Sequence, residues 1–296
     1  MTTRTALQAT SAFYQASPGL RLFRLALGAS QRVWPALAVR GAFRLFCTPL
    51  PPRWLQRAAS WSADWDTESW PFEDGSLTVY SRPVAPHAPL VLLAHGWGGH
   101  AGQLLPLAEA VARTGLRPVL LEMPAHGASA GSTSNLPQFA RALEYASARL
   151  QQQGHRLHAV AAHSLAANAA AYAASRGLPA QRLVLLAPPS SPLEYTRLFA
   201  AVFGLSEGTR SRMQARIEAR EGILMRQFEP AQVGPRIARP TLVVHDRGDS
   251  INRYADGEAF AGAIAGARLL PTEGLGHRRI LRDPGVLEQV AAFLHP

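Results

Sequence analysis

The chain has 296 residues, of which 47% are hydrophobic and 17% are charged, a composition that indicates a globular protein and excludes a disordered or fibrous chain. All 30 basic residues are arginine, so the chain has no lysine for a Schiff base, a pyridoxal anchor or a phosphate-binding loop. The single cysteine, Cys47, cannot form an internal disulfide, which predicts a reducing, cytoplasmic location.

The first 63 residues form a strongly basic segment. They contain eight arginines and no acidic residue, so most of the net charge of +10 lies there. A nucleic-acid groove across the whole protein is therefore not indicated, and we expect no nucleic-acid partner. Two stretches, 20–27 and 37–46, combine arginine and large apolar residues at the spacing of an amphipathic helix. Either these helices pack on the main domain, or they contact an anionic membrane, peripherally at the inner membrane, through residues 1–60.

From residue 76 onward, short apolar runs alternate with longer helical stretches, a pattern typical of an α/β protein with a mostly parallel, doubly wound sheet. The predicted strands are 77–82, 90–94, 118–121, 157–162, 183–187, 241–245 and 268–271. The predicted helices are 102–114, 136–152, 165–175, 255–265 and 285–294.

The alternation breaks once, between Pro188 and Gln232, where two or three helical segments follow a strand. This break predicts a helical cap inserted into the sheet domain. We therefore predict an N-terminal helical segment over residues 1–63 and a catalytic domain over residues 64–296, with the cap at about 188–232.

A serine stands at the junction of a predicted strand and a predicted helix, in the run Ala162-His163-Ser164-Leu165-Ala166. A sharp turn at this point forces the serine into a strained backbone conformation, and small residues on either side let strand and helix approach. The serine oxygen is then lifted clear of the chain. By itself the run fits an ordinary helix start equally well, with Ser164 as the N-cap.

Three further motifs follow predicted strands. A glycine-rich loop, His95-Gly96-Trp97-Gly98-Gly99, comes directly after strand 90–94, and its glycines permit a backbone that aims an amide at a developing negative charge. The run Val243-Val244-His245-Asp246-Arg247-Gly248-Asp249 carries two carboxylates, and Gly274-Leu275-Gly276-His277 carries a histidine between flexible residues. Parallel α/β sheets bind their ligands at this end of their strands.

Together these motifs resemble the α/β-hydrolase fold superfamily, over about residues 75–296. The usual serine motif there is Gly-x-Ser-x-Gly, and in this chain both glycines are alanines. The resemblance implies Ser164 as nucleophile, Asp249 as acid and His277 as base, in the family's chain order. It also implies that the amides of Trp97 and Leu165 form an oxyanion hole.

Other residues compete for these roles. The resemblance favours Asp249 over Asp246, which then orders the loop, and Glu122 at the end of another strand is a further alternative for the acid. We expect His163 to point away from the nucleophile and His126 to hold a loop together by hydrogen bonds.

The expected activity is hydrolysis of a small-molecule acyl substrate, of the carboxylic ester type, through an acyl-serine intermediate. We expect no cofactor and no metal. A thioesterase, a small peptidase or an acyltransferase on the same fold remains open, as does a haloperoxidase or lyase. A catalytically silent, membrane-associated binding module is the alternative of another class.

Overall fold

The computed structural model describes residues 18–50, 61–82 and 88–295. Its strands, numbered in chain order, are β1 (Asp66–Phe72), β2 (Gly75–Ser81), β3 (Leu90–Ala94), β4 (Arg117–Leu121), β5 (Leu157–His163), β6 (Arg182–Leu186), β7 (Thr241–Asp246) and β8 (Arg268–Thr272). Its helices are α1 (Pro18–Val33), α2 (Pro35–Phe46), α3 (Leu105–Arg113), α4 (Leu136–Gln152), α5 (Leu165–Ser175), α6 (Pro192–Phe203), α7 (Glu207–Glu221), α8 (Pro230–Val233), α9 (Tyr254–Ala263), α10 (Gly276–Arg279) and α11 (Pro284–Leu294). Three short 3₁₀ turns cover Ala101–Leu104, Met225–Phe228 and Gly234–Arg236.

All eight strands belong to one sheet, in the order β1-β2-β4-β3-β5-β6-β7-β8. The pairs β1–β2 and β2–β4 are antiparallel, and every later pair is parallel. The chain runs from β3 to β4 on one side and then returns to β5 on the other, so the strand order reverses at β3. In open α/β sheets, a ligand site lies outside the carboxyl ends of the strands at such a reversal. The predicted mostly parallel, doubly wound sheet is confirmed.

The seven predicted strands are all present, with ends that shift by two residues at most. The prediction missed β1, which lies at the edge of the sheet and pairs only with β2. The first four residues of β1 are exposed, and the strand contains Pro71. An edge strand tolerates polar side chains and a proline because one of its sides has no neighbour to pair with. Its sequence therefore lacks the apolar run by which the other strands were recognised.

Two compact units divide the chain. One, which we call the sheet unit, contains residues 49–190 and 228–296, and the other, the helical unit, contains residues 1–48 and 191–227. In the sheet unit, helices α3 and α11 and the central strands bury a continuous apolar core that includes Val91, Leu93, Leu107 and Val290. These strands are buried along their whole length, which explains why they are almost uniformly apolar.

The helical unit has a small core of its own. Buried Ala42, Cys47, Met213 and Ile217 pack with partly buried aromatic side chains of α2 and α6. The rings of Phe46 and Phe199 meet edge to face, with their centroids 5.2 Å apart. Burial raises the pKa of the Cys47 thiol to about 12, so this cysteine stays protonated and unreactive at neutral pH.

This division runs through the predicted N-terminal segment at residue 48, rather than at residue 63. The reason is that α2 shares its core with α6 and α7, which belong to the stretch predicted as a cap. Charge and helical spacing identify an amphipathic helix in the sequence, but they do not identify the surface against which it packs. Among the residues described, every helix is too short or too polar to span a bilayer.

Gly127 generates a stability prediction. It has a φ of +47°, and a Cβ atom there would lie 2.2 Å from the carboxyl carbon of the buried Glu122. We expect Gly127→Ala to lower the free energy of unfolding by about 3 kcal/mol, because it adds overlap to backbone strain. Gly266 is the matched control, with a φ of +71° and open space around it, and Gly266→Ala should cost about 1 kcal/mol. Urea unfolding followed by circular dichroism compares the two, and equal losses would contradict the role given to the Glu122 contact.

Candidate active site

Ser164 occupies a tight turn between β5 and α5. Its backbone has a φ of 56° and a ψ of −125°, a conformation that is strained for any residue except glycine. Ala162 and Ala166, two residues before and after it, are completely buried. The methyl groups that replace the usual glycines are therefore accommodated, and the predicted strand–turn–helix arrangement is present.

The structure brings Ser164, His277 and Asp249 together, although more than a hundred residues separate the serine from the histidine. The Ser164 Oγ lies 3.0 Å from Nε2 of His277, and Nδ1 of His277 lies 2.7 Å from an oxygen of Asp249. A carboxylate accepts the proton on Nδ1, which leaves the lone pair on Nε2 facing the serine hydroxyl. The Asp249 side chain is fully buried, whereas that of His277 is 10% exposed.

The two candidate carboxylates have different partners. One oxygen of Asp249 accepts hydrogen bonds from the amides of Ile251 and Asn252, and its other oxygen faces His277. Asp246 instead accepts from the amides of Gly248 and Leu275 and from the hydroxyl of Thr272. Asp246 thus ties the β7 loop to the loop that precedes His277.

Electrostatics agree with a structural role for Asp246. Burial opposes ionisation of this carboxyl, but the hydrogen bonds donated by Leu275, Thr272 and Gly248 outweigh it and lower its pKa. An ionised carboxylate that accepts three hydrogen bonds from two loops holds those loops together, and both of its oxygens are already engaged.

The glycine-rich loop after β3 lies directly against Ser164. A Cβ atom on Gly96 would lie 2.6 Å from the Cβ atom of Ser164, and Gly98 has a φ of +66°. A glycine is therefore required at both positions. Within the described part of the chain, neither the Trp97 amide nor the Leu165 amide donates to a protein acceptor, so both are free to bind an incoming oxygen atom.

His126 supports this loop from behind. Its Nε2 accepts a hydrogen bond from the amide of Gly98 at 2.9 Å, and its Nδ1 donates to the carbonyl of Pro124 at 2.8 Å. Burial, followed by the proximity of His95, lowers the pKa of His126 to about 3. The imidazole is therefore neutral near pH 7 and keeps the lone pair that Gly98 needs. These bonds agree with the expectation that His126 holds a loop together.

Glu122 lies below the same loop and away from His277. It is only 3% exposed, with one oxygen 3.0 Å from Nε2 of His95 and within 2.9 Å of the Ala101 amide. Burial alone would raise its pKa, but the hydrogen bonds from His95 and Ala101 lower it. Glu122 is thus committed to His95, and the alternative that it serves as the acid partner of His277 is not supported.

Two further histidines lie beside the Ser164–His277–Asp249 chain. His163, which we expected to point away from the nucleophile, contacts the base: its Nε2 donates to the main-chain oxygen of His277 at 2.9 Å, and the two rings are 4.6 Å apart. Burial, followed by the charge of His277, holds the pKa of His163 well below its usual range. His245 has its Nε2 3.6 Å from Asp249. The only signal in the sequence for these two histidines was their position beside a motif residue, since His163 precedes Ser164 and His245 precedes Asp246.

Within the residues described, no group of three or more His, Cys, Asp or Glu side chains has the arrangement of a metal site. His158 illustrates how the other histidines are used. It is buried, and its Nε2 donates to the main-chain oxygen of Leu294 at 2.7 Å. It fastens α11 to the end of the sheet where β5 begins, far along the strand from Ser164.

Residues 85–227 match the model of a family described as serine aminopeptidase, S33. No curated protein matches the sequence.

Several solved structures share the fold. A hydrolase of Pseudomonas aeruginosa is 22% identical with a TM-score of 0.61, over 78% of this chain and 99% of that one. Est1E of Butyrivibrio proteoclasticus, solved with ferulic acid bound, is 18% identical with a TM-score of 0.63, over 77% and 96%. A bacterial membrane phospholipase A is 16% identical with a TM-score of 0.59, over 93% and 96%.

Proposed function

We propose that this chain is a serine hydrolase of the α/β-hydrolase superfamily that cleaves carboxylic esters through a covalent acyl-serine intermediate. The observation that carries the proposal is the hydrogen-bonded chain from Asp249 through His277 to Ser164, with the serine held on a strained turn. A structural N-cap serine would instead accept a hydrogen bond from the first turn of its helix. Ser164 makes no such side-chain bond to α5.

Acylation follows from the positions of these three side chains. The Ser164 oxygen attacks the acyl carbonyl carbon while its proton passes to Nε2 of His277, 3.0 Å away. Asp249 stabilises the imidazolium through the bond to Nδ1. His277 then gives the proton to the alcohol oxygen as the carbon–oxygen bond breaks, and the alcohol leaves.

Deacylation repeats these steps with water as the nucleophile. His277 takes a proton from the water, the hydroxide oxygen bonds to the acyl carbon, and the serine leaves as its oxygen regains the proton. The products are an alcohol and a carboxylic acid. In both halves the amides of Trp97 and Leu165 bind the negative oxygen. Such donors, fixed in advance, lower the barrier by about 3 kcal/mol each.

A peptidase is the second candidate, because the matching family model describes a serine aminopeptidase. The same acyl-serine chemistry serves an amide, with an amine as the leaving group that takes the proton from His277. Aminoacyl p-nitroanilides tested beside p-nitrophenyl esters of increasing chain length separate the two candidates. We expect kcat/KM to be higher for the esters, and a preference for the anilides would replace the esterase with the peptidase.

The first prediction concerns the nucleophile. A fluorophosphonate probe should label the wild-type protein, and Ser164→Ala should abolish both labelling and ester turnover, lowering kcat by about 10⁴-fold or more. Ser175→Ala is the matched control, because Ser175 lies at the other end of α5 and its hydroxyl only donates to Tyr172. Labelling that survives in Ser164→Ala would show that another residue is the nucleophile. No labelling of the wild type would favour the silent binding module.

The second prediction separates the two carboxylates. In Asp249→Asn, the amide oxygen can still accept from Ile251 and Asn252, but the NH₂ group faces Nδ1 of His277 and favours the wrong tautomer. We expect kcat to fall by about 10⁴-fold with little change in melting temperature.

In Asp246→Asn, the new NH₂ group would replace an oxygen that accepts hydrogen bonds, so that it would face donors such as the Gly248 amide or the Leu275 amide. The free energy of unfolding should then fall by about 2 kcal/mol, while kcat at a temperature where the protein is folded should change less than about tenfold. Thermal unfolding and initial rates on both variants provide the comparison. A severe loss of kcat confined to Asp246→Asn would identify Asp246 as the acid partner.

The third prediction concerns the loop beneath the oxyanion. His126→Leu leaves the Gly98 amide without its acceptor, and we expect kcat to fall about 30-fold with KM nearly unchanged, since the loop acts on the transition state. His126→Gln offers an oxygen near the position of Nε2 and should recover most of this loss. If both variants lose kcat equally, or if KM rises instead, His126 does not act through the Gly98 bond.

A further inference from the structure

A corner of the helical unit carries large apolar side chains on its surface. Helix α1 ends at Val33, Trp34 follows with a non-helical backbone (φ −135°, ψ 68°), and Pro35 begins α2. The side chains of Val33, Trp34 and Leu37 are 62%, 64% and 60% exposed. We call residues 32–37, with Arg40 and Arg44 on the same face of α2, the basic corner.

The apolar side chains of this corner are exposed even though α2 also contributes to the core of the helical unit. Helix α2 already buries its opposite face, where Ala38, Ala42 and the partly buried Phe43 face inward. Leu37, Arg40 and Arg44 recur at the spacing of one helix face, and each of them is exposed. Helix α2 therefore has two distinct faces. One packs into the core of the helical unit, and the other exposes apolar and basic side chains side by side.

The arginines of this corner have no acidic partner. Among the described residues, Arg32, Arg40 and Arg44 form no ion pair, and the first acidic residue of the chain is Asp64. Elsewhere in the helical unit some described arginines, such as Arg212 and Arg216, likewise form no ion pair, but they do not adjoin the exposed Val33, Trp34 and Leu37 in the sequence, and others are paired. Arg197 pairs with Glu194, and Arg210 pairs with Glu207. Unpaired positive charge beside exposed apolar groups favours a partner that offers negative charge and an apolar layer at once.

We propose that the basic corner docks on the surface of an anionic lipid bilayer. The arginines bind lipid phosphates, Trp34 lies at the level of the headgroups, and Val33 and Leu37 enter the boundary of the acyl chains. A nucleic acid would satisfy the arginines but would leave Val33 and Leu37 in water. The ring of Pro35 restricts the backbone at the junction of α1 and α2, so less conformational entropy is lost on docking.

Vesicle sedimentation with the full-length protein tests this proposal. Phosphatidylglycerol vesicles should bind the wild-type protein and release it at high salt, and pure phosphatidylcholine vesicles should bind it weakly. The triple variant Arg32→Gln, Arg40→Gln, Arg44→Gln should lower partitioning onto phosphatidylglycerol by roughly a hundredfold, because each arginine contributes a factor of about five. Trp34→Ala should lower it about tenfold.

The matched control removes the same charge from the sheet unit. Arg236, Arg268 and Arg282 are exposed, and their triple change to glutamine should alter partitioning by less than about threefold. Equal losses in the two triple variants would mean that net charge alone attracts the protein, and would overturn the docking surface. Unchanged binding in Trp34→Ala, or equal binding to the two lipids, would do the same. Ser164→Ala should bind as the wild type does, so this test is independent of the proposed hydrolase activity.

Discussion

The structure depends on how closely two neighbouring strands of the sheet approach at their carboxyl ends. Gly96, two residues after β3, lies so near Ser164, directly after β5, that a single added carbon would overlap the serine. This close contact goes together with the strained backbone of Ser164 and with the turn of the glycine-rich loop after β3. Strain of this kind costs of order 1 to 3 kcal/mol and persists only where the surroundings enforce it. Here the buried sheet core and the histidines around the loop enforce it.

Two neutral histidines hold the backbone around this contact by hydrogen bonds. His126 accepts from the amide of Gly98, and His163 donates to the main chain of His277. Burial lowers the pKa of each. A buried neutral imidazole can serve as donor and acceptor at once and brings no charge that must be compensated. The site therefore places the carboxylate of Asp249 against His277 and surrounds this pair with groups that fix its geometry.

The sequence predicted the parts of the molecule that depend on local pattern. The buried parallel strands are continuous apolar runs, and the ends of β3, α4 and α5 fall where the pattern indicated. The run around Ser164 and the loop at Gly96 were recognisable because a sharp turn needs small residues at fixed spacing. Strand β1 was missed because an exposed edge strand has no such run. The contact of His163 was missed because its partner, His277, lies more than a hundred residues away in the chain, and that of His245 because the turn that brings Asp249 back toward it, four residues on, is not readable from the sequence.

Charge separates the two units as clearly as packing does. The helical unit contains 12 arginines and 4 acidic residues, whereas the sheet unit contains 18 arginines and 16 acidic residues, so the basic character of the protein as a whole says little about its active site. Chemistry at Ser164 requires a nearly rigid, dehydrated environment, in which unpaired charge would be costly. Docking on a bilayer requires the opposite, namely unpaired charge and apolar groups exposed to water. A chain that places these demands in separate units can satisfy both, because the arginines of the basic corner lie in the helical unit, whereas Ser164, Asp249 and His277 lie in the sheet unit.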